Sequence, residues 1–140
     1  MSIIKAIKRA YQIKKERNWD TIYWCIDLHG VCLKSNYKNG EYEWINVDAL
    51  ECLQLISSLS ESKIILWSSC YKSDKVLIKK LFELNDIKVL SFNSNKEVQN
   101  TNTGNFNEKF YFSVILDDKA GFDPDIDWRE IYEYLNNKQW

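Results

Sequence analysis

Three apolar runs in this chain stop abruptly in side chains that can do chemistry. Ile22-Tyr23-Trp24-Cys25-Ile26 ends in Asp27, with His29 and Gly30 just behind it, and Lys63-Ile64-Ile65-Leu66-Trp67 ends in Ser68-Ser69. The third, Phe110 to Leu116, follows Lys109 and ends in the pair Asp117-Asp118. Continuous β-branched and aromatic runs read as strands of a covered parallel sheet, whose reactive side chains gather at the carboxyl ends. Asp27, Ser68, Asp117 and Asp118 are therefore expected in one site. Carboxylates sharing a small volume raise one another's pKa unless a cation neutralises them, and hard oxygen ligands of this kind, completed by water and phosphate, are how Mg²⁺ is held. Ser68, with the backbone N–H groups around Ser69, can donate to a phosphate oxygen, and Lys109 can supply a fixed positive charge.

The elements that must position these groups follow from periodicity and caps. Met1 to Arg17 spaces Ile3, Ile4, Ile7, Ala10, Tyr11 and Ile13 on one helical stripe amid lysines and arginines, so residues 1–20 read as a basic amphipathic helix packed on or beside the domain. Lys34 to Trp44 reads as a loop or small hairpin turning at Asn39-Gly40. Asn46 or Asp48 can cap a helix running to about Leu59, and Ser73 or Asp74 a second one with Val76, Leu77, Leu81 and Leu84 as its apolar stripe. Ile87 to Phe92 reads as a short strand, Asn93 to Asn107 as a long surface loop, and Asp127 as the cap of a last helix over Trp128 to Leu135. Strands alternating with helix-length segments predict an α/β fold: a Rossmann-like three-layer sandwich with a mainly parallel sheet and helices on both faces.

The totals set outer limits. With 140 residues the chain makes one domain, with no room for a second. A net charge of -1 argues against a stable nucleic-acid complex driven by overall charge, and no apolar run reaches the ~20 residues that span a bilayer. Cys25, Cys32, Cys52 and Cys70 lack the close pairing of a zinc site and no secretory signal precedes them, so they read as reduced thiols of a cytoplasmic protein.

The order of the candidate groups resembles the haloacid dehalogenase-like (HAD) superfamily, most closely its small, nearly capless members of bacterial and phage type. The resemblance runs from about Ile22 to the end and is most specific in Val114-Ile115-Leu116-Asp117-Asp118-Lys119-Ala120-Gly121-Phe122. It implies a Mg²⁺-dependent phosphatase or phosphotransferase in which Asp27 attacks phosphorus to give an aspartyl-phosphate, Ser68 and Lys109 hold the transferring group, and Asp27, the His29 carbonyl and the acidic pair hold the metal. Asp118 is expected to contact the metal directly, with Asp117 nearer Lys109. A phosphoacceptor receiver domain uses similar residues in the opposite order.

His29 departs from the resemblance, which implies an aspartate there as general acid and base. Three readings stay open: imidazole takes over that work, turnover is slow, or the chain is a binding or regulatory module on the same frame. A phosphorylated substrate is implied, with a nucleotide or nucleic-acid end among the choices. Trp24, Trp44, Trp67, Tyr37 and Tyr42 are the aromatic candidates for stacking on a base.

Overall fold

The fold is described from a computed structural model of the chain covering residues 3–35 and 41–138; Tyr37 and the Asn39-Gly40 turn lie outside the described residues. The sheet has four strands, β1 (Ile22–Asp27), β2 (Ser62–Trp67), β3 (Val89–Phe92) and β4 (Val114–Leu116), in the order β3-β2-β1-β4. Every pairing is parallel. The helices are α1 (Ile3–Glu16), α2 (Val47–Ser58), α3 (Lys72–Leu84) and α4 (Asp127–Asn137). This is the expected α/β, Rossmann-like architecture.

The pleat splits β1 cleanly. Ile22, Trp24 and Ile26 join one buried cluster with Ile64 and Leu66 of β2, Val114 and Leu116 of β4, and the inner residues of all four helices, including Ile7, Leu53, Phe82 and Trp128. Tyr23 and Cys25 face the other way, where residues 93–113 supply the opposite covering layer. There the Tyr23 hydroxyl donates to Glu97 at 2.9 Å, its ring meets Tyr111 edge-on at 6.2 Å, and Asn95 Nδ2 donates to the Tyr111 carbonyl at 2.9 Å. The long polar segment thus packs as a layer, tied down by amide side chains rather than by helical periodicity.

Local details sharpen or correct the sequence reading. Asn46 caps α2, its Oδ1 accepting from the Ala49 N–H at 2.8 Å. Neither Ser73 nor Asp74 caps α3, which begins one residue earlier, after Tyr71. Asp127 is likewise inside α4, accepting at Oδ2 from the Asp123 N–H at 2.7 Å. The strand expected from Phe110 pairs only from Val114. The α3 stripe is rotated: Val76, Leu77 and Leu84 are exposed, whereas Ile78 and Phe82 are fully buried and Leu81 packs against the core. Phe82, its ring tilted 52° against Trp44 with the centroids 4.9 Å apart, brings the larger apolar area and wins the inner face. α1 does dock through Ile7 and Ala10 with its lysines outward. No helix among the described residues is long and apolar enough to cross a membrane.

Phe82→Ala is expected to cost roughly 3–5 kcal/mol of unfolding free energy, whereas Leu84→Ala changes it by no more than about 0.5 kcal/mol. Urea denaturation of the two variants checks this; equal losses would contradict the observed face of α3.

Candidate active site

β1 lies at the centre of the sheet, between β2 and β4, and the chain reverses its direction across the sheet there. Such switch points open a crevice at the carboxyl edge. Asp27 pairs in register with Trp67, so Ser68 follows immediately beside it; Ile26 pairs with Leu116, which puts Asp117 on the other flank. Carboxylate oxygens of Asp27, Asp117 and Asp118 come within 4.8 Å of one another, the only such group of His, Cys, Asp or Glu among the described residues. Asp27, Asp117, Ser68, Ser69, Trp67, Asn93 and Lys119 line a cleft of about 440 Å³.

Short local structures hold each carboxylate. After β1 the backbone doubles back on itself, with the Cys32 and Leu33 N–H groups both donating to the Leu28 carbonyl at 2.8 and 2.9 Å. The Trp128 indole fixes this loop by donating to the Val31 carbonyl at 2.8 Å. Gly30 has φ +83°, and a Cβ at that position would lie 2.9 Å from Asp118 Oδ2. The absent side chain therefore gives Asp118 room to reach Asp27. Asp117 opens the 3-10 turn Asp118–Ala120, its Oδ1 accepting from the Lys119 N–H at 2.9 Å, and Gly121, at φ +98°, closes that turn.

Asn93 is a site residue that the sequence did not flag. Positioned just after β3 with φ +54°, it accepts from the Ser68 N–H at 2.8 Å and donates Nδ2 to the Ser68 carbonyl at 2.7 Å. This amide clamp sets the turn that presents Ser68, whose Oγ also accepts from the Cys70 N–H at 3.1 Å. An asparagine at the end of a strand was its only signal, and asparagine is common in any turn.

The cations and the imidazole are arranged differently from expectation. Lys119 lines the cleft, while Lys109 does not; its ammonium lies 6.0 Å from the Phe112 ring centroid. His29 is not among the cleft-lining side chains either. Burial pushes its pKa below the ordinary imidazole value, partly offset by the charge of Asp74 and a backbone hydrogen bond at Lys34. Asp74 is in turn the acceptor for the Tyr42 hydroxyl. His29 thus sits near Asp74 and Lys34, and its burial disfavours the protonated, charged ring. Of the aromatic candidates, Trp24 is buried and donates to Ser62 Oγ at 3.1 Å, Trp44 packs on Phe82, and Trp67 is 42% exposed at the cleft.

Asp27 registers the crowding directly. Its pKa is pushed up from 3.8 to about 6 by burial first, then by the charges of Asp117 and Asp118. Burial first, and then the charges of Asp117 and Asp27, push the Cys25 thiol up to about 12. All four cysteines are free thiols. Oxygen-only donors that approach this closely and repel one another suit a hard dication such as Mg²⁺, with Asp27, Asp117 and Asp118 as the side chains that would hold it.

No protein-family model, curated protein or solved structure matches the chain. The chemistry of the site itself therefore carries the functional reading.

The folded protein holds the Asp27 proton more tightly than the unfolded chain does, so this group makes the metal-free protein less stable as pH rises from about 4 to about 6. A shift of that size corresponds to at most ~3 kcal/mol, reduced to roughly 1 kcal/mol by partial exposure to water. Asp27→Asn is expected to melt higher than wild type above pH 6 without metal and to lose most of the slope. Thermal melts in chelator across this range would contradict the electrostatic reading if the two proteins kept parallel profiles.

Proposed function

We propose that this chain is a Mg²⁺-dependent phosphohydrolase, acting on phosphomonoesters by hydrolysis or phosphoryl transfer through an aspartyl-phosphate on Asp27. The observation that carries this reading is the convergence of the Asp27, Asp117 and Asp118 carboxylates at the edge of a cleft that Asp27 and Asp117 line together with Ser68 and Lys119. A bound dication would neutralise the three carboxylates and polarise the phosphoryl oxygens.

The residues of the chain divide the remaining work. Asp27, the carboxylate at the end of the central strand, attacks phosphorus; the new carboxylate–phosphorus bond forms as the bond to the leaving ester oxygen breaks. Ser68 Oγ and the Ser69 backbone N–H bind the phosphoryl oxygens, and the Lys119 ammonium adds positive charge where negative charge builds up. Water then attacks the aspartyl-phosphate, restoring the Asp27 carboxylate and releasing inorganic phosphate. This assigns to Lys119 the role that the sequence reading gave to Lys109.

The leaving oxygen needs a proton, and here the position of His29 favours a second reading. A neutral imidazole outside the cleft lining is a poor donor to that oxygen, which favours slow turnover or a phosphate-binding module over an efficient enzyme.

Hydrolysis of p-nitrophenyl phosphate distinguishes these outcomes. Wild type is expected to be active with Mg²⁺ and inactive in chelator, Asp27→Asn to lose activity, and Lys119→Met to fall by on the order of 10². Equal rates in wild type and Asp27→Asn would overturn the nucleophile assignment. An inactive wild type made active by His29→Asp would establish the module reading instead.

A further inference from the structure

The catalytic cleft does not end at the phosphoryl site. Asn93 also lines a second cleft of about 560 Å³, bounded by the 94–110 segment, with Phe106 and Phe110 among its walls. Trp67 connects the two: it pairs in register with Asp27, lines the first cleft, and its ring centroid lies 5.6 Å from that of Phe110 at a tilt of 45°. Phe110 in turn leans on Phe112 at 5.9 Å. A tryptophan 42% exposed beside a carboxylate cluster is a flat apolar surface left uncovered where a substrate must sit.

We propose that a nucleoside monophosphate, either free or at the end of a strand, lies across both clefts, with its phosphate at Asp27, its base stacked on Trp67 where Phe110 backs that ring, and its nucleoside reaching into the second cleft. The inference rests on the phosphohydrolase reading and names the substrate class of that same site. A phosphoryl group at Asp27 leaves the adjoining second cleft, which shares Asn93 with the first, free for the group it leaves from. The rim is amide-rich beyond the aromatic wall. Asn95 is buried, and its amide is used within the protein, by the Tyr111 carbonyl and the Glu97 N–H. Gln99 is exposed, and Asn100, whose Oδ1 accepts from the Phe106 N–H at 2.7 Å, has its amide NH₂ to offer. Amide donors and acceptors beside a π surface match a base, which carries a stacking face and a hydrogen-bonding edge on one rigid plane. A sugar phosphate would use the same rim but has no π face. Lys96, also at the rim, is placed to meet a neighbouring phosphate when the nucleotide belongs to a strand.

Two measurements test this separately from the catalytic claim. In steady-state assays, kcat/KM for a nucleoside monophosphate and for a short 3′-phosphorylated oligonucleotide is compared with that for glycerol 1-phosphate and glucose 6-phosphate, in wild type and Trp67→Ala. The ratio of the better nucleotide substrate to glycerol 1-phosphate is expected to drop on the order of tenfold in Trp67→Ala, because stacking is lost only for the base. A ratio unchanged by the substitution, or glucose 6-phosphate as the preferred substrate, overturns the proposal while leaving the phosphohydrolase reading intact. In the second arm, calorimetric binding of the same ligands to Asp27→Asn needs no turnover. Nucleotide binding weakened by Trp67→Ala supports the stacking wall even in a protein that hydrolyses nothing, and equal affinity for nucleotide and glycerol phosphate overturns it. Preference between the free nucleotide and the oligonucleotide, and its loss in Lys96→Ala, identifies which source the cleft fits.

Discussion

Three carboxylates held within a few ångströms of one another are the constraint on which the rest of this structure depends. Partial burial, and then the charges of Asp117 and Asp118, raise the Asp27 pKa to about 6, so the arrangement costs free energy in the absence of a cation. Folding must therefore impose the arrangement from outside. It does so by placing Asp27 at the end of the central strand, where β2 and β4 fix it in register on both sides and Ile26, beneath it, is fully buried. The core stabilises the sheet, and the sheet in turn holds the aspartates together.

Small features complete what the sheet begins. Gly30 gives up a side chain so that Asp118 can approach, Trp128 reaches from α4 to pin the loop that carries Gly30, and Asn93 grips both backbone polar groups of Ser68. Each acts through backbone geometry. A site built this way keeps its electrostatic tension ready for a cation, which would convert repulsion among the ligands into binding energy. The covering segment at residues 93–113 then does two jobs: it buries the second face of the sheet through Tyr111 and Asn95, and it shapes the space next to the aspartates through Phe110.

Much of this was legible in the sequence because strands covered on both faces write long apolar runs, and runs that stop in an acid or hydroxyl mark the carboxyl edge. Asp27, Ser68, Asp117 and Asp118 were readable for that reason, as were the parallel sheet and the docked face of α1. The α3 face was readable only at Leu81, because Val76-Leu77-Leu81-Leu84 and Ile78-Leu81-Phe82 both satisfy helical spacing, and packing against Trp44 chooses between them. That Lys119 lines the cleft and Lys109 does not was not readable, because chain order alone does not show that a 3-10 turn carries the residue after Asp118 to the cleft. The Asn93 clamp on Ser68 spans 25 residues and the charge of Asp74 on α3 reaches His29 across the fold, which no local pattern encodes.

The central claim is that the three aspartates form a cation site. Mg²⁺ titration by isothermal calorimetry near pH 7 tests it most directly, comparing wild type with Asp118→Asn. Saturable binding of one ion per chain in wild type, weakened at least tenfold in Asp118→Asn, is the expected result, since a lost anionic ligand of this kind removes on the order of 1.4 kcal/mol or more. Wild-type protein that binds no Mg²⁺, or binds it equally well without the Asp118 carboxylate, would contradict it.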